Sequence, residues 1–111
     1  MPRHGLLIEY EDCTGCHTCE IACKEEHGLG AGEWGIKLIE LAPMRAGDGG
    51  HSLLNLPVPT ELCDLCERRT KAGDLPSCVR HCQAGVMRFG TLAELSRFQE
   101  LKPRTVIWAP R

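Results

Sequence analysis

A chain of 111 residues with 12 Gly, 7 Pro and only 5% aromatic residues makes one small domain, rich in turns, that cannot rest on a large apolar core alone. Its 13 basic and 15 acidic side chains leave a formal charge of -2. That balance gives no basic footprint for nucleic acid and no one-sign excess of the kind a long-range steered carrier shows.

Near the N-terminus only Leu6, Leu7 and Ile8 run together before Glu9, so neither a secretory signal nor direct membrane insertion is expected. The chain reads as soluble and cytoplasmic. Eight cysteines in that compartment read as metal ligands, because thiols there are kept reduced.

In chain order, residues 5–10 form an extended segment leading into Cys13, Cys16, Cys19 and Cys23. Cys19 and Cys23 are spaced for one face of a short helix, which sets their sulfurs roughly 6 Å apart. Residues 35–41 and 53–58 read as strands. The link at 42–52, with Pro43, Gly47, Gly49 and Gly50, reads as a flexible loop between them.

Cys63, Cys66, Cys78 and Cys82 follow, with Pro76 suited to the first turn of a helix carrying Cys78 and Cys82. Residues 86–89 are extended. Thr91 and Glu94 make a capping-box start for a helix through Leu101, with Leu92, Leu95, Phe98 and Leu101 on its apolar side and Pro103 ending it. Residues 105–108 close the chain as a short strand that pairs with a sheet edge or with a partner chain. The two cysteine groups, each set between extended pieces, form an imperfect internal duplication.

The first group is a C-x2-C-x2-C-x3-C run, the pattern of bacterial two-cluster ferredoxins. Three close thiolates cap three irons of one 4Fe-4S cubane, while the fourth, on the helix, points to a second cluster. Gly15 lets the backbone turn so that amide N–H groups face the sulfurs.

The second group repeats this logic with an insertion before its third ligand. The crossed rule assigns Cys13, Cys16, Cys19 and Cys82 to one cluster, and Cys23, Cys63, Cys66 and Cys78 to the other. Zinc is the competing reading of paired C-x2-C units, but a third cysteine at C-x2-C-x2-C crowds a single zinc.

On these residues the chain resembles the iron-sulfur subunits of dimethyl-sulfoxide-reductase-type molybdenum oxidoreductases. The opening stretch from Gly5 through Cys13, Gly15 and Cys16 to Cys23 and Lys24 is similar to their first cysteine motif. Cys63, Asp64, Leu65, Cys66, Arg68, Gly73, Pro76, Cys78, Cys82, Phe89 and Gly90 are similar to their last.

Those subunits carry four motifs and four clusters, so the resemblance, over residues 5–95, implies a reduced form that keeps the outer two. One departure is Gln83, where relatives have Pro after the final cysteine.

The expected fold is therefore an α+β, ferredoxin-like pseudo-twofold domain over 1–111, with a hairpin insertion at about 28–60 and a C-terminal helix and strand at about 91–109. No acid-base pair, Ser-His-Asp set or phosphate-binding glycine loop accompanies the cysteines, so catalysis belongs on a partner chain. The expected function is electron transfer as the iron-sulfur subunit of an oxidoreductase whose catalytic subunit holds molybdenum or tungsten pterin, or a flavin.

An independent soluble ferredoxin and a zinc-binding interaction module are the alternatives. Export with a signal-bearing partner stays open, as it does for relatives of this type. His17 and His81, beside cysteines, read as potential tuners or as plain exposed rings. Lys24, Arg68, Arg69, Lys71, Arg80 and Arg88 offset cluster charge or belong to the solvated surface. Trp34 and Trp108 read equally as interface or as core.

Overall fold

The computed structural model describes residues 3–45, 51–102 and 104–109. The chain runs β1 (His4–Ile8), a 3-10 turn (Tyr10–Asp12), α1 (Thr18–His27), β2 (Ile36–Arg45), β3 (His51–Pro59), α2 (Glu67–Lys71), α3 (Ser77–His81), β4 (Met87–Thr91), α4 (Leu92–Leu101) and β5 (Val106–Trp108). It is a small α+β domain whose strand pairs are all antiparallel.

β1 is the middle of a three-stranded sheet ordered β4-β1-β5. Its Leu6, Leu7 and Ile8 are all completely buried, which explains an apolar run without alternation, since a strand covered on both faces has no polar side. Each such side chain contributes about 1.5–3 kcal/mol on burial.

Leu6 and Ile8 face a core shared with Cys19, Cys23, Cys78, Ile36, Val86 and Met87. The opposite face is covered by α4, which packs on β1, β4 and β5. Gly5 is required by close approach: a β-carbon there would collide with the carbonyl oxygen of Trp108 and crowd Leu92.

β2 and β3 form a separate two-stranded hairpin, and α1 packs on α3. The hairpin strands run further than expected, to Arg45 and from His51, so most of the expected loop is strand, and residues 46–50 lie outside the described residues. The register shifts by one residue between Leu41 and Met44, where Pro43 has no N–H to give the ladder.

Other expectations are corrected in detail. Tyr10 begins a 3-10 turn instead of ending the first strand, Pro76 sits one residue before α3, and Cys82 lies just past its end. Thr91 caps α4 with both bonds of the capping box, as its spacing predicts. Leu101, expected on the apolar side, is 84% exposed.

The terminal strand pairs with β1, so of its two expected partners it takes the domain's own sheet. Helix α2, in the stretch between Cys66 and Cys78, was not expected at all.

Candidate metal centre

The first cysteine loop enters α1 through left-handed backbone at Gly15 (φ +76°) and His17 (φ +63°). A β-carbon at Gly15 would sit 3.1 Å from the Asn55 amide on β3, a tight contact that adds to the strain of its left-handed backbone. The backbone N–H of Gly15 is directed at the Cys13 sulfur, and the hydroxyl and N–H of Thr18 at Cys16. Cys16 is exposed, and Thr18 holds its thiol below the ordinary value.

The second loop bends the same way through Leu65 (φ +60°) and Cys66 (φ +52°), neither of them glycine. Each such residue costs about 1–3 kcal/mol, which the surroundings must offset. Asp64 helps by accepting the Cys66 N–H through Oδ1 at 2.9 Å. Cys66 Sγ in turn accepts from the Ser77 N–H at 3.4 Å and stands 3.2 Å from His27 Nε2.

Sequence neighbours part company here. Cys13, Cys16, Cys19 and Cys82 line one cavity, with Leu38, Pro57, Val86 and Met87 in its walls. Cys23, Cys63, Cys66 and Cys78 line another, with Leu6, Ile36, Leu65 and Pro76. α1 thus sends Cys19 to one cavity and Cys23 to the other, and Cys82 crosses to the first.

Burial pushes the Cys19 thiol up to about 12, helped by Glu20 and by Cys13 and Cys82. Burial likewise pushes Cys23 up to about 11, helped by Cys66 and Cys63. Cys78 is driven up further still, by burial first and then by Cys66, Cys63 and Cys23. Buried thiols that raise one another in this way become thiolates only beside a compensating positive charge.

Around the cysteines, Glu20 is 3% exposed and ties α1 to β2. Burial alone would raise its carboxyl, but the Leu38 N–H at 2.8 Å, then His17 and Lys37, hold it below the usual carboxylate range. His17 bridges Glu20 at 2.5 Å and Glu40 at 3.1 Å, and its imidazole is held above its ordinary value by Glu20 first.

His81 donates from Nδ1 to the Ser77 carbonyl within α3. Both histidines flanking cysteines therefore have structural partners. His27, one helical turn beyond Cys23, is the ring that reaches a sulfur; sequence reasoning missed it, although the four-residue spacing was the available signal.

Among the basic residues, Arg69 bears on Cys66, while Lys24 serves the carbonyls of Gly30 and Glu33 and lies 3.9 Å over the Trp34 ring. Lys71 pairs with Glu67, and Arg88 stacks on Phe98. Trp34 is thus a half-buried ring between Lys24 and Lys37. Trp108 packs against the core instead, and its Nε1 is buried without an acceptor among the described residues. Among those residues no helix is long and apolar enough to cross a membrane.

The fold and its two cysteine-lined cavities define a small, cysteine-rich α+β domain, and the known proteins it is similar to include iron-sulfur subunits. Its relatives include a putative iron-sulfur subunit of dimethyl sulfoxide reductase from Halobacterium salinarum, 26% identical over 92 residues, which cover 74% of this chain and 32% of the relative. The probable anaerobic dimethyl sulfoxide reductase protein YnfG of Escherichia coli is 31% identical over 88 residues, covering 77% of this chain and 40% of the relative.

The hydrogenase-2 operon protein HybA of Escherichia coli O157:H7 is 29% identical over 119 aligned positions, 99% of this chain and 30% of the relative. No family model matches the chain. The resemblance read from the cysteine motifs to the iron-sulfur subunits of dimethyl-sulfoxide-reductase-type enzymes is thereby borne out. The chain spans less than half the length of each of these relatives.

Proposed function

We propose that the chain holds two 4Fe-4S clusters in one ferredoxin-like, pseudo-twofold domain over 1–111 and relays electrons to or from a catalytic subunit. One cluster is held by Cys13, Cys16, Cys19 and Cys82, the other by Cys23, Cys63, Cys66 and Cys78. The observation that carries this reading is the pair of cavities, each lined by four cysteines drawn from both groups.

The residues fit such a group. Gly35 presents its N–H to Cys23, and only the lack of a β-carbon there lets the sulfur lie this close to the backbone. Among the described residues no three His, Cys, Asp or Glu side chains converge closely enough to hold one ion. A zinc module needs such convergence, with sulfur at about 2.3 Å from the metal.

A 4Fe-4S cluster held there would supply one-electron transfer. The chain's own part is to supply the thiolates, to aim the N–H groups of Gly15, Gly35, Leu65 and Ser77 at them, and to keep water away with Leu6, Ile36, Val86 and Met87. The pairing of β1 with β4, β2 with β3 and α1 with α3 supports the pseudo-twofold description.

Relatives named as dimethyl sulfoxide reductase subunits support a catalytic partner holding molybdenum or tungsten pterin; a flavin partner is the other possibility. Anaerobic reconstitution followed by iron and sulfide analysis tests the reading. The expected result is about eight of each per chain. About four of each, or zinc in their place, would overturn it.

A further inference from the structure

Helix α1 presents two groups to the cavity of the second cysteine set. Cys23 is one, and His27, four residues on and so on the same face, is the other. Gly28, left-handed at φ +62°, ends the helix immediately after His27. The ring is 26% exposed, with Nε2 3.2 Å from Cys66 Sγ and 3.8 Å from Asp64 Oδ1.

A metal-bound cysteine is a thiolate and can only accept a hydrogen bond, so the proton in this contact must sit on Nε2. We propose that His27 donates this Nε2–H to the Cys66 thiolate and thereby raises the reduction potential of the centre held by Cys23, Cys63, Cys66 and Cys78. The inference rests on the two-cluster reading above.

Its physical basis is charge. An electron entering the centre adds negative charge that spreads onto the cysteine sulfurs, and a hydrogen bond to a more negative acceptor is stronger. The donor therefore favours the reduced form. The Ser77 N–H, Arg69, Asp64 and Glu26 also act on Cys66. They stay in place when only His27 is changed, so their effects cancel in the comparison. His27 is thus a tuning residue, acting through a ligand rather than as one.

The test uses the full chain, reconstituted anaerobically and titrated with dithionite as electron donor, with electron paramagnetic resonance reporting each centre. His27→Phe keeps a ring of similar size without the N–H, and His27→Gln keeps an N–H donor. In His27→Phe the reduced-to-oxidised ratio of one centre at a fixed potential should fall about tenfold, about 59 mV for a one-electron couple.

That centre should be the one that Cys66→Ser perturbs, and the other should not move. His27→Gln should shift the ratio by less than roughly threefold. Unchanged potentials in His27→Phe, equal shifts in both centres, or a glutamine variant matching phenylalanine would each overturn the donation.

Should His27→Phe fail to hold its iron, His27→Leu, also without an N–H, replaces it: a fall of about tenfold in that centre's ratio supports the donor, and an unchanged ratio, or loss of iron in His27→Leu and His27→Gln alike, overturns it. A wild-type chain lacking two clusters would be a different failure, that of the two-cluster reading itself, seen in the iron content before any titration.

Discussion

Gly35 lies so close to Cys23 that a β-carbon at Gly35 would overlap the cysteine sulfur. The same glycine gives its N–H to that sulfur and its carbonyl to the N–H of Thr60 at 2.9 Å, so the backbone is pinned on both sides and cannot draw back. Gly35→Ala should therefore push Cys23 out of its cavity. Iron content should fall from about eight to about four per chain. Full iron in the alanine variant would show that the backbone yields.

The crossing of ligands makes a sharper claim. Cys23→Ala should disturb the same spectroscopic signal as Cys78→Ala, although Cys23 is a sequence neighbour of Cys19. Cys82→Ala should disturb the signal that Cys13→Ala disturbs. Electron paramagnetic resonance of the reduced variants checks this, and a Cys23→Ala spectrum matching Cys13→Ala would refute the crossed arrangement.

The cysteine motifs were legible because their spacing is a local property, and i,i+4 cysteines share a helix face before any packing is known. The capping box at Thr91 and Glu94 was legible for the same reason. Contacts across the chain were not. His27 meets Cys66 39 residues away, and its spacing from Cys23 gives the helix face it shares but not the sulfur it meets. Helix α2 has no buried residue, so no apolar periodicity marked it.

The terminal strand was readable as a strand, but its partner was not, because an edge strand carries the same pattern whether it joins its own sheet or another chain. Here it joins β1, with Trp108 opposite Leu6 and packed on the core. Trp108→Ala should cost about 2–3 kcal/mol, less than a fully buried Trp because the ring is partly exposed. Truncation after Lys102 should cost more and should lower iron retention. Thermal unfolding and iron analysis measure both, and a truncated chain with wild-type stability would mean that β5 is dispensable to the domain.

Helix α4 depends on its cap. The Thr91 hydroxyl accepts the Glu94 N–H at 3.2 Å, and Glu94 accepts the Thr91 N–H at 2.9 Å. That second bond holds the Glu94 carboxyl below its usual range, so it is ionised and capping at neutral pH. Thr91→Ala should destabilise the domain by about 1 kcal/mol, roughly 5 °C in Tm, and Thr91→Ser by much less. Iron content should stay unchanged in both, since α4 lies on the sheet face away from the cysteines. Equal losses in the alanine and serine variants would remove the hydroxyl as the cause.

Gln83 occupies the position after the last cysteine where the resembling subunits carry Pro. In this chain Cys82 to Gly85 form a turn closed by the Gly85 N–H donating to the Cys82 carbonyl at 3.2 Å, with Gly85 left-handed at φ +66°. Gln83 is the second residue of that turn, the place where Pro is favoured because its fixed φ matches the turn. The turn is thus supplied by Gly85 here, and Pro would add rigidity rather than a new shape. Gln83 is also exposed, so its side chain gives up no packing when replaced. Gln83→Pro should stabilise the folded chain by about 0.4–1 kcal/mol, mainly by restricting the unfolded state. A rise of a few degrees in Tm with full iron content is the expected result. Loss of iron would show instead that the Gln83 N–H is needed beside the Cys82 sulfur, and that the departure from Pro is part of how this site holds its cluster.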